Sequence, residues 1–314
     1  MISVITPAFN ASVFLDRTMA SVLAQKEVTD YIIIDDGSSD NTHDIALKWS
    51  EKDARITVLR HPDRKNHGRS ESRNLGIENA TESYIAFLDA DDYYLPGRFA
   101  KDIRILEENR DIDAVYNAIG AHYYDSYDGP RPDWLNLTTL NERIPGNELF
   151  ERMTPIGRSG WFSGNGLTVR KTFFDRVGLF NSQLEVAEDT ELWIKMAMIG
   201  KLEASSIDDP VAMRGVHDKN IFNKNQKYFE NVVRMYNSLI RFAQSKDVSS
   251  LRIGKLWSVR SRVIKSKHPD RYGDLLLLKD SAKFLLRNPG LIRVEGIRLQ
   301  PWRSLRNVIG KTLT

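Results

Sequence analysis

The sequence has no cysteine, which excludes disulfides, thiolate metal sites and cysteine nucleophiles. No apolar run reaches the ~18 residues that suggest a membrane-spanning helix. There is no GxxxxGK(S/T) loop, which argues against a phosphate-loop nucleotide hydrolase. Neither a GxSxG elbow nor an HExxH helix is present, so two common hydrolase chemistries lack their signatures. Met1 leads straight into ISVIT, without a basic segment or a long apolar stretch, and the expectation is a cytoplasmic chain without a secretory leader. Internal repeats and low-complexity tracts are also missing.

What is present is the composition of a soluble globular protein: 314 residues, 41% hydrophobic and 28% charged. That length suits one large α/β domain, or one domain with a substantial appendage. The net charge of +3 hides an uneven distribution. Residues 251–314 hold 15 lysines and arginines against 4 acids, leaving 30 against 38 in residues 1–250. An acidic body with a basic tail region points either to an anionic partner or to a helical extension packed on the body or on a second subunit.

The first 120 residues alternate between strand-like and helix-like segments. ISVITPAF reads as a buried strand, and FLDRTMASVLAQ spaces Phe14, Leu15, Met19, Val22 and Leu23 as one helical face. DYIIIDDGSSDN is a second strand ending in a turn, where Ser38, Ser39 or Asp40 can cap the next helix. RITVLRH, YIAFLDADD and DAVYNAIGAHYY supply strands three to five, with a helix predicted over 68–80 and another from Pro96 to about Arg110. Such alternation predicts βαβ units and a mainly parallel sheet flanked by helices. Residues 126–160 are irregular and read as an insertion or lid. EDTELWIKMAMIG predicts a helix stopped at Gly200, and long amphipathic segments follow to about Leu286, before a stretch containing Pro289 and Pro301.

In open sheets of this kind, ligands bind beyond the carboxyl ends of the strands. Two acidic clusters fall there: Asp35-Asp36 after strand two, and Asp89, Asp91 and Asp92 after strand four. Asp35-Asp36 with GSSDN is either a plain turn or a pair of acceptors for a nucleobase or ribose. The second cluster ends a buried strand without the Gly, Pro or Asn of an ordinary turn, and its crowded charges either stand in open water as an acidic turn or are held together by a cation. Hard divalent ions take oxygen ligands, and Mg²⁺ commonly combines one or two carboxylates with substrate phosphates. Arg69, Arg73 and Asn74 lie on a predicted helix, where the arginines either contact phosphate or sit on a solvated face. Glu188-Asp189 is either a helix cap or the source of a catalytic base. His217 is either structural or a member of a metal shell.

SVITPAFN, IIIDDGSSDNT and GRSESRNLGIENATESYIAFLDADD, taken in that order, resemble the nucleotide-sugar half of a family 2 glycosyltransferase. GLTVRKTFFDRVGLFNSQLEVAEDTELWIKMAMIG resembles that family's acceptor side. The resemblance implies a Rossmann-like GT-A domain over 1–220, with a nucleotide-sugar half to about 120 and an acceptor half over 121–220. A basic, mainly helical region occupies 221–314. It further implies that Thr6, Pro7 and Phe9 line the nucleotide pocket, with Asp36 meeting the base, Asp35 nearby and Arg73 beside the pocket. Asp89, Ala90 and Asp91 match the DxD motif, with Asp91 and Asp92 as candidate ligands for Mn²⁺ or Mg²⁺ and His217 as a further one. Asp189 matches the catalytic base of an inverting transfer. The implied partners are a nucleotide-sugar donor, UDP above all, and a saccharide or lipid-linked acceptor of bacterial surface polysaccharide or glycolipid synthesis. Nucleic acid is not among them. Contact with the inner membrane face through the basic region and a homo-oligomer complete the expectations. Two other readings stand beside this one: a sugar-nucleotide pyrophosphorylase, whose Gly-rich basic opening TPAFNASVF does not match, and an inactive binding module.

Overall fold

The computed structural model describes residues 1–218, 220, 225–267, 271–293 and 297. Backbone contacts divide the chain into two units, Met1–Glu185 with Gly200–Asn223, and Val186–Ile199 with Lys224–Thr314.

The first unit opens with the anticipated alternation: β1 (Ile2–Ala8), α1 (Leu15–Leu23), β2 (Val28–Asp35), α2 (Thr42–Ser50), β3 (Ile56–Arg60), α3 (Arg69–Asn79) and β4 (Tyr84–Phe87). It continues with β5 (Tyr93–Tyr94), α4 (Ala100–Glu108), β6 (Ala114–Tyr116), β7 (Ile119–Tyr123), α5 (Asp133–Asn136), β8 (Leu137–Thr138), α6 (Leu149–Arg152), β9 (Leu167–Arg170) and α7 (Phe174–Val177). After α8 (Glu188–Ile199), which belongs to the second unit, come β10 (Leu202–Ala204) and β11 (Ala212–Val216).

Seven strands form the main sheet in the order β10-β6-β9-β4-β1-β2-β3. Four of its pairings are parallel, and β9 runs antiparallel to both β4 and β6. Every residue of β1 is buried, as a strand covered on both faces requires. Helix α1 lays Leu15, Thr18, Met19 and Val22 into that core, the i, i+3, i+4, i+7 stripe of an amphipathic helix. Helix α3 lies so close to the sheet that a Cβ on Gly76 would stand 2.4 Å from Ile5. A second sheet, β5-β11-β7-β8, carries β11 past the end of β4.

The fifth expected strand is in fact two. DAVYNAIGAHYY leaves the main sheet after β6 and joins the second sheet as β7, with Asn117 at the break. The buried Asn117 amide donates to Asp102 at 3.0 Å and to Gly166 O at 3.0 Å, and its oxygen accepts the Ser206 N–H at 3.0 Å. A side chain thus takes over hydrogen bonds that a continuous ladder would have made. The fourth helix also starts later than expected. Pro96 lies in a turn with Gly97 at φ +75°, a left-handed conformation that ends any helix begun there, and α4 begins at Ala100. Residues 126–160 are more firmly rooted than a lid, with Leu135, Leu140, Leu149 and Phe150 buried.

In the second unit, α8 is followed by α9 (Asn225–Ser245), α10 (Ser250–Lys267) and α11 (Arg271–Arg287), the C-terminal helices the sequence anticipates. Tyr236, Leu239, Leu256, Trp257 and Leu277 are buried there. The buried Arg260 donates to Asn237 at 2.6 Å and to Asp280. Pro301 and the rest of 298–314 lie outside the described residues.

Candidate active site

The carboxyl ends of β1, β2 and β4 form one rim, because the three strands are adjacent and parallel. Thr6 and Pro7 are buried near the end of β1, opposite Ile33 and Ile34, and the Tyr31 hydroxyl donates to Thr6 at 3.2 Å. Phe9, just past the strand, is exposed.

Asp35 and Asp36 end β2 with their carboxylates buried and bonded. Asp35 accepts the Ser38 N–H at 3.0 Å and Arg60 Nε at 2.6 Å. Asp36 accepts the N–H groups of His67 and Gly68 at 2.7 and 2.9 Å, which fastens the turn entering α3. That turn needs Gly68, whose φ is +87°. His43 Nδ1 and His61 Nε2 stand a further 3.4 Å from Asp35 and Asp36 respectively, so both carboxylates are held within the turn. The N-cap of α2 is none of the three expected residues but Asn41, which makes no side-chain cap bond, while Asp40 just outside accepts the Thr42 N–H at 3.0 Å.

Beyond β4 the chain turns sharply, with the Asp92 N–H bonded to Asp89 O at 3.0 Å. The three crowded carboxylates separate in three directions. Asp89 pairs with Arg73 at 2.7 Å, and that buried guanidinium also lies 5.2 Å from the Phe180 ring centroid. The surrounding protein would raise the Asp89 carboxyl, but Arg73, Arg69 and Arg214 hold it below the ordinary carboxylate range. Asp91 faces outward, its side chain 28% exposed, with Oδ2 3.0 Å from His217 Nε2. Asn220 donates to the same oxygen at 3.3 Å. Asp92 turns inward, accepting the Gly215 N–H at 2.7 Å and the Asn165 amide. Burial, then Asp91 and Asp89, push its carboxyl well above the usual range. The Thr18 hydroxyl lies 2.8 Å from both Ala90 O and Asp92 O, so α1 holds the turn from below.

His217 arrives on the segment after β11. Its ring stacks on Phe14 with centroids 4.5 Å apart and planes 16° apart, and the His217 backbone N–H donates to Asn220 Oδ1 at 2.6 Å. Gly215 lets β11 pass this close: a Cβ there would stand 2.2 Å from Asp91 O. Arg73, Asp89, Asp91, Asp92 and His217 are therefore brought together, and Asn165, Gly215, Asn220, Thr18 and Phe14 join them without a role assigned from sequence. Asn165 sits in a Gly-Asn-Gly turn and Asn220 three residues beyond His217. Those are the local signals available, and neither names a partner.

Asp189 is the second residue of α8 in the second unit, where its Oδ1 accepts the Thr190 N–H at 2.6 Å, shortly after Ala187 at φ +65°. Acids at a helix start complement its dipole.

The family model described as glycosyl transferase family 2 matches residues 3–163. The chain belongs to glycosyl transferase family 2. Among relatives of this glycosyltransferase-family chain, an uncharacterized glycosyltransferase of Rickettsia felis is 26% identical over 207 residues, covering 64% of this chain and 32% of its own length. The succinoglycan biosynthesis protein ExoU of Rhizobium meliloti is 29% identical over 201 residues, covering 62% of this chain and 56% of its own length. The chain thus spans between about a third and somewhat over half of these two relatives. Residues 1–349 of S. aureus TarS superpose with a TM-score of 0.65 at 15% identity, over 99% of this chain and 90% of that one. TarS has also been solved with UDP-GlcNAc. The likeness fixes the fold as GT-A, a sheet flanked by helices with a helical C-terminal part. Family membership also sets aside the pyrophosphorylase reading.

Proposed function

We propose that this chain transfers a sugar from a nucleoside diphosphate, UDP by preference, to an acceptor hydroxyl with inversion at the anomeric carbon, assisted by Mn²⁺ or Mg²⁺. The observation that carries this reading is the meeting of Asp91 and His217 at 3.0 Å from positions 126 residues apart, on the rim where such sheets bind ligands. TarS, with the same fold and solved with UDP-GlcNAc, supports the choice of UDP. ExoU supports a place in polysaccharide biosynthesis.

The donor set fits a hard divalent ion: a partly exposed carboxylate and an imidazole nitrogen, with an amide beside them. Among the described residues no three His, Asp or Glu side chains are arranged to hold an ion by themselves, and oxygens of the donor diphosphate would supply further ligands. Asp91 and His217 would hold the ion, with Asp92 bracing the turn beneath. When bound, the ion supplies Lewis-acid stabilisation of the departing diphosphate.

The remaining work falls to the chain itself. Thr6, Pro7, Phe9, Asp35 and Asp36 bind the nucleoside, and Arg73 fixes Asp89 and the Ala90 peptide against the ribose and diphosphate. Asp189 takes the acceptor hydroxyl proton as the new bond from that oxygen to the anomeric carbon forms. The bond from that carbon to the diphosphate oxygen breaks with its electron pair on the leaving group. A positioned base of this kind is worth roughly 10²–10⁴-fold. The test is a screen of UDP-, GDP- and dTDP-sugars for metal-dependent hydrolysis. Release of UDP that Asp91→Ala abolishes supports the reading, and metal-independent release or none at all overturns it.

A further inference from the structure

Helices α10 and α11 distribute charge unevenly. Helix α10 holds six lysines and arginines and no acid, while α11 holds four and two aspartates. Both aspartates are engaged by α10. Asp274 pairs with Lys265 at 2.6 Å, and Asp280 pairs with the buried Arg260. Trp257 meets Phe284 with ring centroids 5.8 Å apart, so the two helices run antiparallel side by side. The negative charge of α11 is therefore matched within the pair.

Among the described side chains of α11, the exposed ones are Leu275, Lys279, Ala282, Lys283, Leu286 and Arg287. At 3.6 residues per turn they share an arc of about 140°. The opposite side buries Leu277, Ser281 and Phe284. Within the outward arc Leu275 is 48% exposed and Leu286 is 83% exposed, roughly 16 Å apart along the axis. Two large apolar side chains with Lys279 and Lys283 between them along the helix and Arg287 next to Leu286 make two demands, a non-aqueous environment for the leucines and anions for the lysines and arginine.

A second copy of the chain meets the first demand and fails the second, since a two-fold contact sets three cations against three. A polynucleotide meets the second and leaves the leucines in water. The surface of an anionic bilayer meets both, with cations at the phosphates and leucines at the acyl boundary. We propose that the outward face of α11 docks on anionic phospholipid, through Lys279, Lys283 and Arg287 at the headgroups and Leu275 and Leu286 below them. This surface is independent of the transferase chemistry and stands whether or not that chemistry is as proposed.

The test is flotation of the full chain with vesicles of phosphatidylcholine alone, and with vesicles of equal parts phosphatidylcholine and phosphatidylglycerol. The wild type is expected to float with the anionic vesicles only, and less so as salt rises. Replacing Lys279, Lys283 and Arg287 by Gln is expected to weaken that binding at least ten-fold, each cation being worth about five-fold. Leu286→Ser is expected to weaken it several-fold at unchanged salt dependence, an effect that attraction of a polyanion alone does not produce. Circular dichroism and thermal unfolding, both expected to be unchanged, show that the variants are folded. Absence of wild-type flotation, equal flotation of the wild type and the triple variant, or indifference to Leu286→Ser each overturns the proposal.

Discussion

Asp92 accepts the backbone N–H of Gly215 at 2.7 Å, while Asp91 beside it turns the other way. Adjacent carboxylates thus have separate surroundings: one is 4% exposed and bonded into the protein, the other open on the rim. Asp92→Ala is expected to lower stability by about 1–3 kcal/mol for each donor left without an acceptor, the Gly215 N–H and the Asn165 amide. Asp91→Ala is expected to cost less stability than Asp92→Ala and to abolish metal-dependent donor hydrolysis. Thermal unfolding and hydrolysis of the two variants side by side check the division. The reverse pattern would exchange their roles.

Gly215→Ala is expected to be far costlier than its size suggests. The added methyl would lie 2.2 Å from a backbone oxygen, with the Tyr124 ring 2.9 Å away on another side, so β11 must retreat from the Asp91 turn. Overpacking of this sort costs typically about 1–3 kcal/mol. Hydrolysis should fall with it, because the retreat carries His217 away from Asp91. A fully active variant with unchanged melting temperature contradicts this geometry.

The bend that sends the chain from the main sheet to the second sheet rests on Asp102. This buried carboxylate pairs with Arg98 at 2.6 Å and accepts from Thr168 at 2.7 Å and from Asn117. Asp102→Ala leaves a buried guanidinium without its counter-charge, and a loss of about 3–5 kcal/mol is expected in denaturant unfolding. The double variant with Arg98→Met should recover part of that loss.

Asp189→Asn is expected to keep the fold and donor binding while transfer to an acceptor falls about 10²–10⁴-fold. Transfer at the wild-type rate would remove Asp189 from the role of base.

The first four strands and three helices of the main sheet were legible because their evidence is local. Mainly apolar strands and the i, i+3, i+4, i+7 spacing of α1 need no partner to be recognised. The split of the fifth strand was not, since it depends on Asn117 meeting Asp102, Gly166 and Ser206, and no spacing in DAVYNAIGAHYY records those partners. Likewise the acidic cluster could be read as a site, and Arg73 and His217 as its neighbours. The divergence of its three carboxylates could not, because it is set by Arg73, His217 and Gly215, which reach the turn from separate parts of the chain.

The central claim is that Asp91 and His217 hold a divalent ion against a nucleoside diphosphate. Calorimetric titration of UDP into the wild type and into Asp91→Ala, each with and without Mn²⁺, tests it most directly. The account expects Mn²⁺ to tighten UDP binding to the wild type at least ten-fold and to do nothing for the variant. UDP affinity that is indifferent to Mn²⁺ in the wild type, or equally enhanced in both proteins, would contradict it.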